Sequence, residues 1–575
     1  MNKIRPFILG LAVILSALFA FGLFTLPSAK DADHDGFSSA RVVKDIEVLS
    51  KEHHSVAHPA ERARVREYLV ERLEGLGADT VRLFEYDSLV GPKNKHVVYT
   101  FDAVNVLAEF APESSADSAS YLLFVAHYDS RYSQPMPKDT VWSYGAADDG
   151  YGVGVILEAM SQALQQRSEW KQGVKVLFTD AEEVGMMGMS AMWERDREVF
   201  DNVGLVINVE ARGSYGPALM FEACPGNAKV LDLYASAARY PYTYSLTTVV
   251  YRFMPNFTDF TIIKDSLPGL NFSTIADVNH YHTDLDNFDN ISEKSIQHYG
   301  EQILPVAMKY LTDEAYSDKD ALRAEEDKTN FSIPLLGLLS FSKTGYLIFN
   351  LVICFIFILL FALEGFRGRL VAVRVLKTSA IVLGCALGVL VLGELYAYLC
   401  SEIVGAKFKP FGIVMGIPFD NTAMIVFIAL VFAAGLLVYW NGRVKAVRAT
   451  LGSMRVSAAF TATSSHALNL LYATLALQFL LSTMLLGVIG ENMMFLIPLS
   501  AATVAMVLWR IMPAVKEWLL LAVVLILLHA FSFLYALAMA LTIGALGAVA
   551  MIAFIDFMVL IPLSDLYCGI WRAGR

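Results

Sequence analysis

Cysteine is almost missing from the polar half of this 575-residue chain. Cys224 stands alone between residues 30 and 328, and Cys354, Cys385, Cys400 and Cys568 fall in or near apolar runs. No disulfide framework can be read from that distribution, and a cysteine-rich zinc site is excluded. Blocks of basic residues are missing too. With 45 Lys and Arg against 56 Asp and Glu the net charge is −11, so no nucleic-acid partner is expected. Charge of either sign is scarce, at 18% of residues, while 55% are hydrophobic and the mean hydropathy is positive. That balance points to membrane, and the length rules out one ordinary domain.

What is present falls into three parts: an anchor over residues 1–29, a soluble domain over 30–328, and a multi-pass membrane domain over 329–575. Met1 to Pro6 is short and basic, and an apolar stretch from Phe7 to Leu26 follows. That stretch is long for the apolar core of a signal peptide and about right for a spanning helix. Pro27-Ser28-Ala29 is a poor cleavage site, so the anchor is read as retained. After the polar linker Lys30–Ala40, apolar residues at helical spacing predict helices over Ala60–Leu76, Gly152–Gln166 and Asn227–Arg239. Buried-strand patterns run over Tyr121–Ala126, Val174–Phe178 and Val203–Ile207. Alternating strands and helices predict an α/β domain with a mostly parallel sheet covered by helices.

The last part predicts seven membrane helices, near Tyr346–Leu363, Ser379–Leu399, Ala423–Tyr439, Leu468–Val488, Met493–Trp509, Trp518–Tyr535 and Leu541–Ile561. With the anchor the expectation is eight spans in contact with lipid. Lys3 and Arg5 then share a side with Arg367, Arg369, Arg374, Lys377, Arg443, Lys445, Arg448, Arg455, Arg510, Lys516, Arg572 and Arg575. Both termini are therefore expected in the cytosol and the soluble domain in the periplasm, the cell exterior or an organelle lumen. Glu394, His529 and Asp556 fall within the spans. An ionisable residue there is a functional candidate by default, and the competing reading is a pair that locks helices together. Sequons at Asn256, Asn271, Asn290 and Asn330 would be glycosylated in a eukaryotic lumen, although several arise by chance at this length.

Chemistry gathers in five short pieces of the soluble domain: Val125-Ala126-His127-Tyr128-Asp129, Ala147-Asp148-Asp149-Gly150, Asp180-Ala181-Glu182-Glu183, Asn208-Val209-Glu210 and Tyr281-His282-Thr283. Each alone is commonplace, and a lone Asp-Asp or Glu-Glu is usually a solvated surface pair. Here three pieces follow apolar strands, and in open α/β sheets ligands bind beyond the carboxyl ends of strands. Imidazole and carboxylate donors without cysteine suit a catalytic zinc site.

At those residues the segment from about Asp45 to Leu311 resembles the co-catalytic di-zinc peptidase family of secreted aminopeptidases and glutamate carboxypeptidases. It is most similar to the membrane-anchored branch of endoplasmic reticulum metallopeptidases and vacuolar membrane proteases, whose members also carry C-terminal membrane helices. The resemblance implies two Zn2+ ions about 3.5–4 Å apart, which need one bridging ligand. It assigns that bridge to Asp148, with Asp149 as the alternative. His127 and Glu210 then complete one ion, and Glu183 and His282 the other. Glu182 is placed to take a proton from the attacking water, Asp129 to fix the His127 tautomer, and Tyr281 to donate to the oxyanion. Two positions depart from the family pattern: Glu210 stands where Asp is more common, and Ala147 where a polar residue often precedes the bridge. Neither removes a ligand.

Arg212 and Asp259 are candidates for substrate contact or for structural ion pairs. His34, His53, His54, His58, His96, His280 and His298 are read as surface residues or as support behind the ligands. The expected function is a membrane-anchored di-zinc metallopeptidase, an aminopeptidase-like exopeptidase acting on peptides or small proteins outside the cytosol. The alternatives are a catalytically silent binding or trafficking module, as in transferrin-receptor-like and nicastrin-like relatives, and a transporter with an accessory ectodomain. A glutaminyl-cyclase-like activity fits less well, because that chemistry uses one metal.

Overall fold

A computed structural model describes residues 4–22, 26–91, 100–113, 120–131, 134–135, 140–252, 256–451 and 456–569. Lys3, His96, Arg455, Arg572 and Arg575 lie outside them. The chain divides into two compact units, one of Leu26–Ser332 with Leu336–Lys343, the other of the remaining residues.

The first unit is built on a seven-stranded sheet. In chain order its strands are β1 (Thr80–Val90), β2 (Thr100–Phe110), β3 (Tyr121–His127), β4 (Gly173–Thr179), β5 (Val203–Ala211), β6 (Tyr215–Ala223) and β7 (Gly269–Ala276). In space they run β1-β2-β4-β3-β5-β7-β6. The β4-β3-β5-β7 centre is parallel, as the alternation predicts. Its flanks are antiparallel, so the sheet is mixed. The parallel strands β4, β5 and β7 are buried along their whole length, and β3 in all but its first residue. Helices cover both faces of such a sheet, so its strands read as continuous apolar runs.

The predicted helices form with small shifts, over Pro59–Gly75, Gly150–Ala163 and Ala228–Ala237. Gly150–Ala163 starts two residues earlier than expected, because Asp149 accepts a hydrogen bond from the Gly152 N–H at 3.0 Å and caps it. Gly152 has to be glycine there, since a Cβ would collide with the Asp149 carboxylate. Asn271 and Asn330 are buried inside this unit, so those two sequons are sealed by the fold.

In the second unit, seven described helices are long and apolar enough to cross a membrane: Lys343–Phe366, Ala372–Val404, Asp420–Lys445, His466–Ile489, Met493–Ile511, Glu517–Leu541 and Ile543–Cys568. The expected first span is a helix of 16 residues, Arg5–Ala20, which ends before Leu26. Arg5 Nη2 lies 3.2 Å from Glu517 Oε1. The spans' acidic residues are mostly partnered. Glu364 lies 2.5 Å from Arg510. Glu394 accepts hydrogen bonds from the Phe411 and Gly547 N–H groups at 3.3 and 3.2 Å.

Candidate metal centre

The carboxyl ends of β4, β3, β5 and β7 deliver the donors side by side. His127 is the last residue of β3, and Glu210 lies at the end of β5. The loop beyond β4 carries Glu182 and Glu183, and the loop beyond β7 carries His282. Asp148 comes from the turn that enters helix Gly150–Ala163. All five predicted ligands are buried.

Asp148 lies between the two histidines. Its Oδ1 is 3.3 Å from His127 Nε2, which in turn is 3.6 Å from Glu210 Oε2. Its Oδ2 is 3.2 Å from His282 Nε2, which is 3.1 Å from Glu183 Oε2. Two three-residue donor clusters result, His127-Asp148-Glu210 and Asp148-Glu183-His282, each with donor atoms within 4.8 Å of one another. Asp149 belongs to neither. Its second oxygen accepts from the His127 N–H at 3.3 Å, so the side chain faces the strand end and the helix. The peptide joining the two aspartates is cis.

The surroundings fit a pair of divalent cations. Glu183 Oε1 is buried with no hydrogen-bond partner among the described residues. Burial, reinforced by the carboxylates of Glu210, Glu183 and Asp259, pushes Glu182 well above the usual carboxylate range. Glu210 is pushed up to about 8 by burial, with Asp148 and Asp259 adding to it. Burial opposes protonation of His127, yet the adjacent carboxylates of Asp129 and Asp148 hold its pKa well above the ordinary imidazole value. His282 is raised against burial by Glu183 and Asp148. Burial disfavours the charge on the two glutamates, and the carboxylates gathered around the two imidazoles favour theirs.

Supporting groups lock the ligands. Asn208 Nδ2 donates to Glu210 Oε1 at 3.1 Å, and Tyr299 Oη donates to the Glu210 carbonyl at 2.6 Å. The Asp129 carboxylate is 3.6 Å from His127 Nδ1, and the ring is instead held by the Asp129 backbone carbonyl at 2.9 Å. The carboxylate turns to the neighbouring loop and accepts from the Glu182 and Glu183 N–H groups at 2.9 and 3.3 Å. Tyr281 stacks on His282 with ring centroids 3.6 Å apart. Burial and the carboxylates of Asp148, Glu183 and Glu182 keep its hydroxyl protonated.

Two supports were not legible in the sequence. Asp286 accepts from Ser143 Oγ at 2.8 Å and from the Ala147 N–H at 2.7 Å, fixing the turn that presents Asp148. Arg131 reaches the Glu183 carbonyl and its carboxylate. Only an acidic residue four places beyond His282 hinted at the first. Asp259 makes no ion pair among the described residues, and it accepts the Thr179 hydroxyl. Arg212 lies near Tyr281 and Tyr251. His298 is neither a surface residue nor a support: it is a core residue whose ring accepts from the Ala218 N–H at 3.0 Å. His54 is buried beside Asp129 and His127.

Fold and donors together define an α/β domain with a paired metal-ligand cluster at the carboxyl edge of its sheet. Residues 105–307 match the profile of Peptidase family M28. Mouse endoplasmic reticulum metallopeptidase 1 is 29% identical over 229 residues, 39% of this chain and 24% of that protein. The vacuolar membrane protease of Lodderomyces elongisporus is 28% identical over 269 residues, 44% of this chain and 26% of that protein. The matched part of this chain thus spans about a quarter of the length of these curated relatives. Among solved structures, Porphyromonas gingivalis glutaminyl cyclase overlays with a TM-score of 0.39 at 19% identity, over 48% of this chain and 100% of that one.

Proposed function

We propose that this chain is a membrane-anchored zinc metallopeptidase, an aminopeptidase-like exopeptidase acting on peptides or small proteins outside the cytosol. One observation carries the reading: the two carboxylate oxygens of Asp148 face different imidazoles, each of which has its own glutamate. His127, Asp148 and Glu210 would hold one zinc ion, and Asp148, Glu183 and His282 the second. When bound, such a pair polarises a carbonyl and makes water a nucleophile at neutral pH. Glu182 accepts the proton of the attacking water on its carboxylate and returns it to the leaving nitrogen. Asp129 positions both histidine and base, through its carbonyl and its carboxylate respectively. The Tyr281 hydroxyl donates to the oxygen that gains charge.

The placement follows from charge. Helix Arg5–Ala20 counts as the first of eight crossings, which leaves the cationic loops on the side of Arg5 and the ligand cluster on the other. Zinc analysis of the purified full chain, with peptides whose amino or carboxyl termini are free or blocked, tests the whole reading. Two zinc ions per chain and cleavage only of peptides with a free amino terminus are expected. Cleavage that needs a free carboxyl terminus would reverse the polarity. A chain without zinc or turnover would be the silent module.

A further inference from the structure

Four rings gather beside the metal centre, and no step above uses them. The His53 ring lies 4.1 Å from Tyr144 and 5.7 Å from His58, centroid to centroid. Trp142 stands 4.7 Å from His58, edge on, and 6.4 Å from His53. Two loops supply the four rings: residues 52–58, ahead of helix Pro59–Gly75, and residues 142–145, ahead of the Asp148 turn. Ser55 Oγ, 2.8 Å from His58 Nδ1, fixes that imidazole.

Hydrogen bonds tie both loops to the ligands. Ser143, between Trp142 and Tyr144, donates its hydroxyl to Asp286 at 2.8 Å, and the same carboxylate accepts the Ala147 N–H at 2.7 Å. On the other loop the His54 N–H donates to Ser130 Oγ at 3.2 Å, one residue past Asp129. The two loops meet at Gly145, where a Cβ would stand 3.1 Å from the Asp148 carbonyl oxygen and 3.3 Å from His54 Cε1. His54, Ser143 and Gly145 are buried, whereas His53, His58, Trp142 and Tyr144 are partly exposed. The inner residues thus brace the ligand loops, and the rings line the rim of the centre. Asp284, two residues beyond His282, acts electrostatically on His53, so the wall also borders the loop of the second histidine.

The chemistry of the wall sets what it takes. Burial, with His58 beside it, lowers the pKa of His53, so its ring is uncharged near neutral pH and offers nothing to an anion. His53 Nε2 is buried with no partner among the described residues, so whatever packs here meets an unused polar atom. Aromatic side chains suit such a wall. They bury a large area, prefer edge-on or offset contacts with other rings, and in Tyr and Trp carry a polar tip. Because these rings share loops with the braces of Asp129 and Asp148, their occupant is a part of the substrate close to the bond that is cut. On the peptidase reading, we propose that His53, His58, Trp142 and Tyr144 form a specificity subsite for an aromatic side chain carried by a substrate residue that flanks the scissile bond.

Peptide binding tests this without relying on turnover. The purified full chain carrying Glu182→Gln is titrated, in the presence of zinc, with trialanine and with its variants bearing Phe at the first, second or third residue. The same titrations are run with Trp142→Ala added. Phe at a responding position should tighten binding more than about tenfold over trialanine, and Trp142→Ala should weaken that peptide at least about fivefold more than trialanine. The responding position tells which side of the bond the wall serves. No gain from Phe at any position, or equal weakening of all peptides by Trp142→Ala, overturns the subsite. Turnover of the same peptides by the parent chain decides the peptidase reading separately: a Phe gain without turnover would strike that reading and keep the wall as an aromatic-binding site. Should Trp142→Ala fail to fold, His53→Leu decides by the same comparison.

Discussion

His282 Nε2 lies 3.2 Å from Asp148 Oδ2, the oxygen turned away from His127. One carboxylate thus addresses two histidines that arrive from different strands, β3 and the loop beyond β7. Asp149, one residue on, has both oxygens committed to backbone N–H groups, of His127 and of Gly152. The two aspartates are adjacent in sequence and opposite in task, and single substitutions separate those tasks.

Asp148→Ala is expected to abolish binding of the zinc pair while leaving the fold intact. Asp149→Ala should keep most of the zinc and cost about 0.5–2 kcal/mol of stability, the usual loss for a removed helix cap. Zinc content and denaturant midpoint, measured on both variants, check this. Equal zinc loss from the two would defeat the assignment of the bridge to Asp148.

Glu182→Gln should retain both zinc ions and lose about 10²–10⁴-fold in turnover. The change keeps the size of the side chain, leaves every ligand in place and removes only the proton acceptor. Steady-state hydrolysis beside metal analysis makes the comparison, and parental turnover in the variant would disprove the role given to Glu182.

Much of this centre was legible in the sequence because its ligands follow apolar strands, whose parallel pairing brings distant residues such as His127 and Glu210 together. The supports were less legible. That the Asp129 carbonyl, rather than its carboxylate, holds His127 depends on a local bend that residue types do not encode. Asp286 acts on a turn about 140 residues earlier in the chain, a contact that exists only after folding. The antiparallel sheet edges were not legible for a similar reason. β5 and β6 are consecutive in sequence, yet β7 inserts between them and makes that flank antiparallel. In the apolar helices, hydropathy located the segments, but that Gln478 pairs with Asp556 emerged only from the fold.

The loop that carries Glu182 begins at Asp180, and its support gives a stability prediction. Asp180 Oδ1 lies 3.1 Å from Arg62 Nη1, and both side chains are buried. Its other oxygen accepts from the Val104 N–H and the Tyr128 hydroxyl at 2.9 and 3.0 Å. Burial nevertheless holds the Asp180 carboxyl up at about 6, so Arg62 only partly offsets the cost of burying the charge. Arg62→Met leaves that charge alone and should cost about 3–5 kcal/mol. Denaturant unfolding followed through the soluble unit's tryptophans measures it. A loss below 1 kcal/mol would mean that the pair adds little beyond the two hydrogen bonds.

Topology supplies the last prediction. Arg367 and Arg369 follow the helix Lys343–Phe366, and Arg510 and Lys516 flank the turn into Glu517–Leu541. Counting Arg5–Ala20 as a crossing puts these cations on the side of Arg5, in keeping with the bias of positive residues toward the cytosol. A reporter active only outside the cytosol should work when fused after Asp318, and one active only in the cytosol should work after Arg369. If Arg5–Ala20 did not cross, the Lys343–Phe366 span would still separate the two fusion points, and the same bias would still put Arg369 in the cytosol and Asp318 outside it. Cytosolic signal after Asp318 would therefore overturn the extracytosolic substrate class. It would leave the zinc reading standing, since that rests on His127, Asp148, Glu183, Glu210 and His282 and not on the compartment they face.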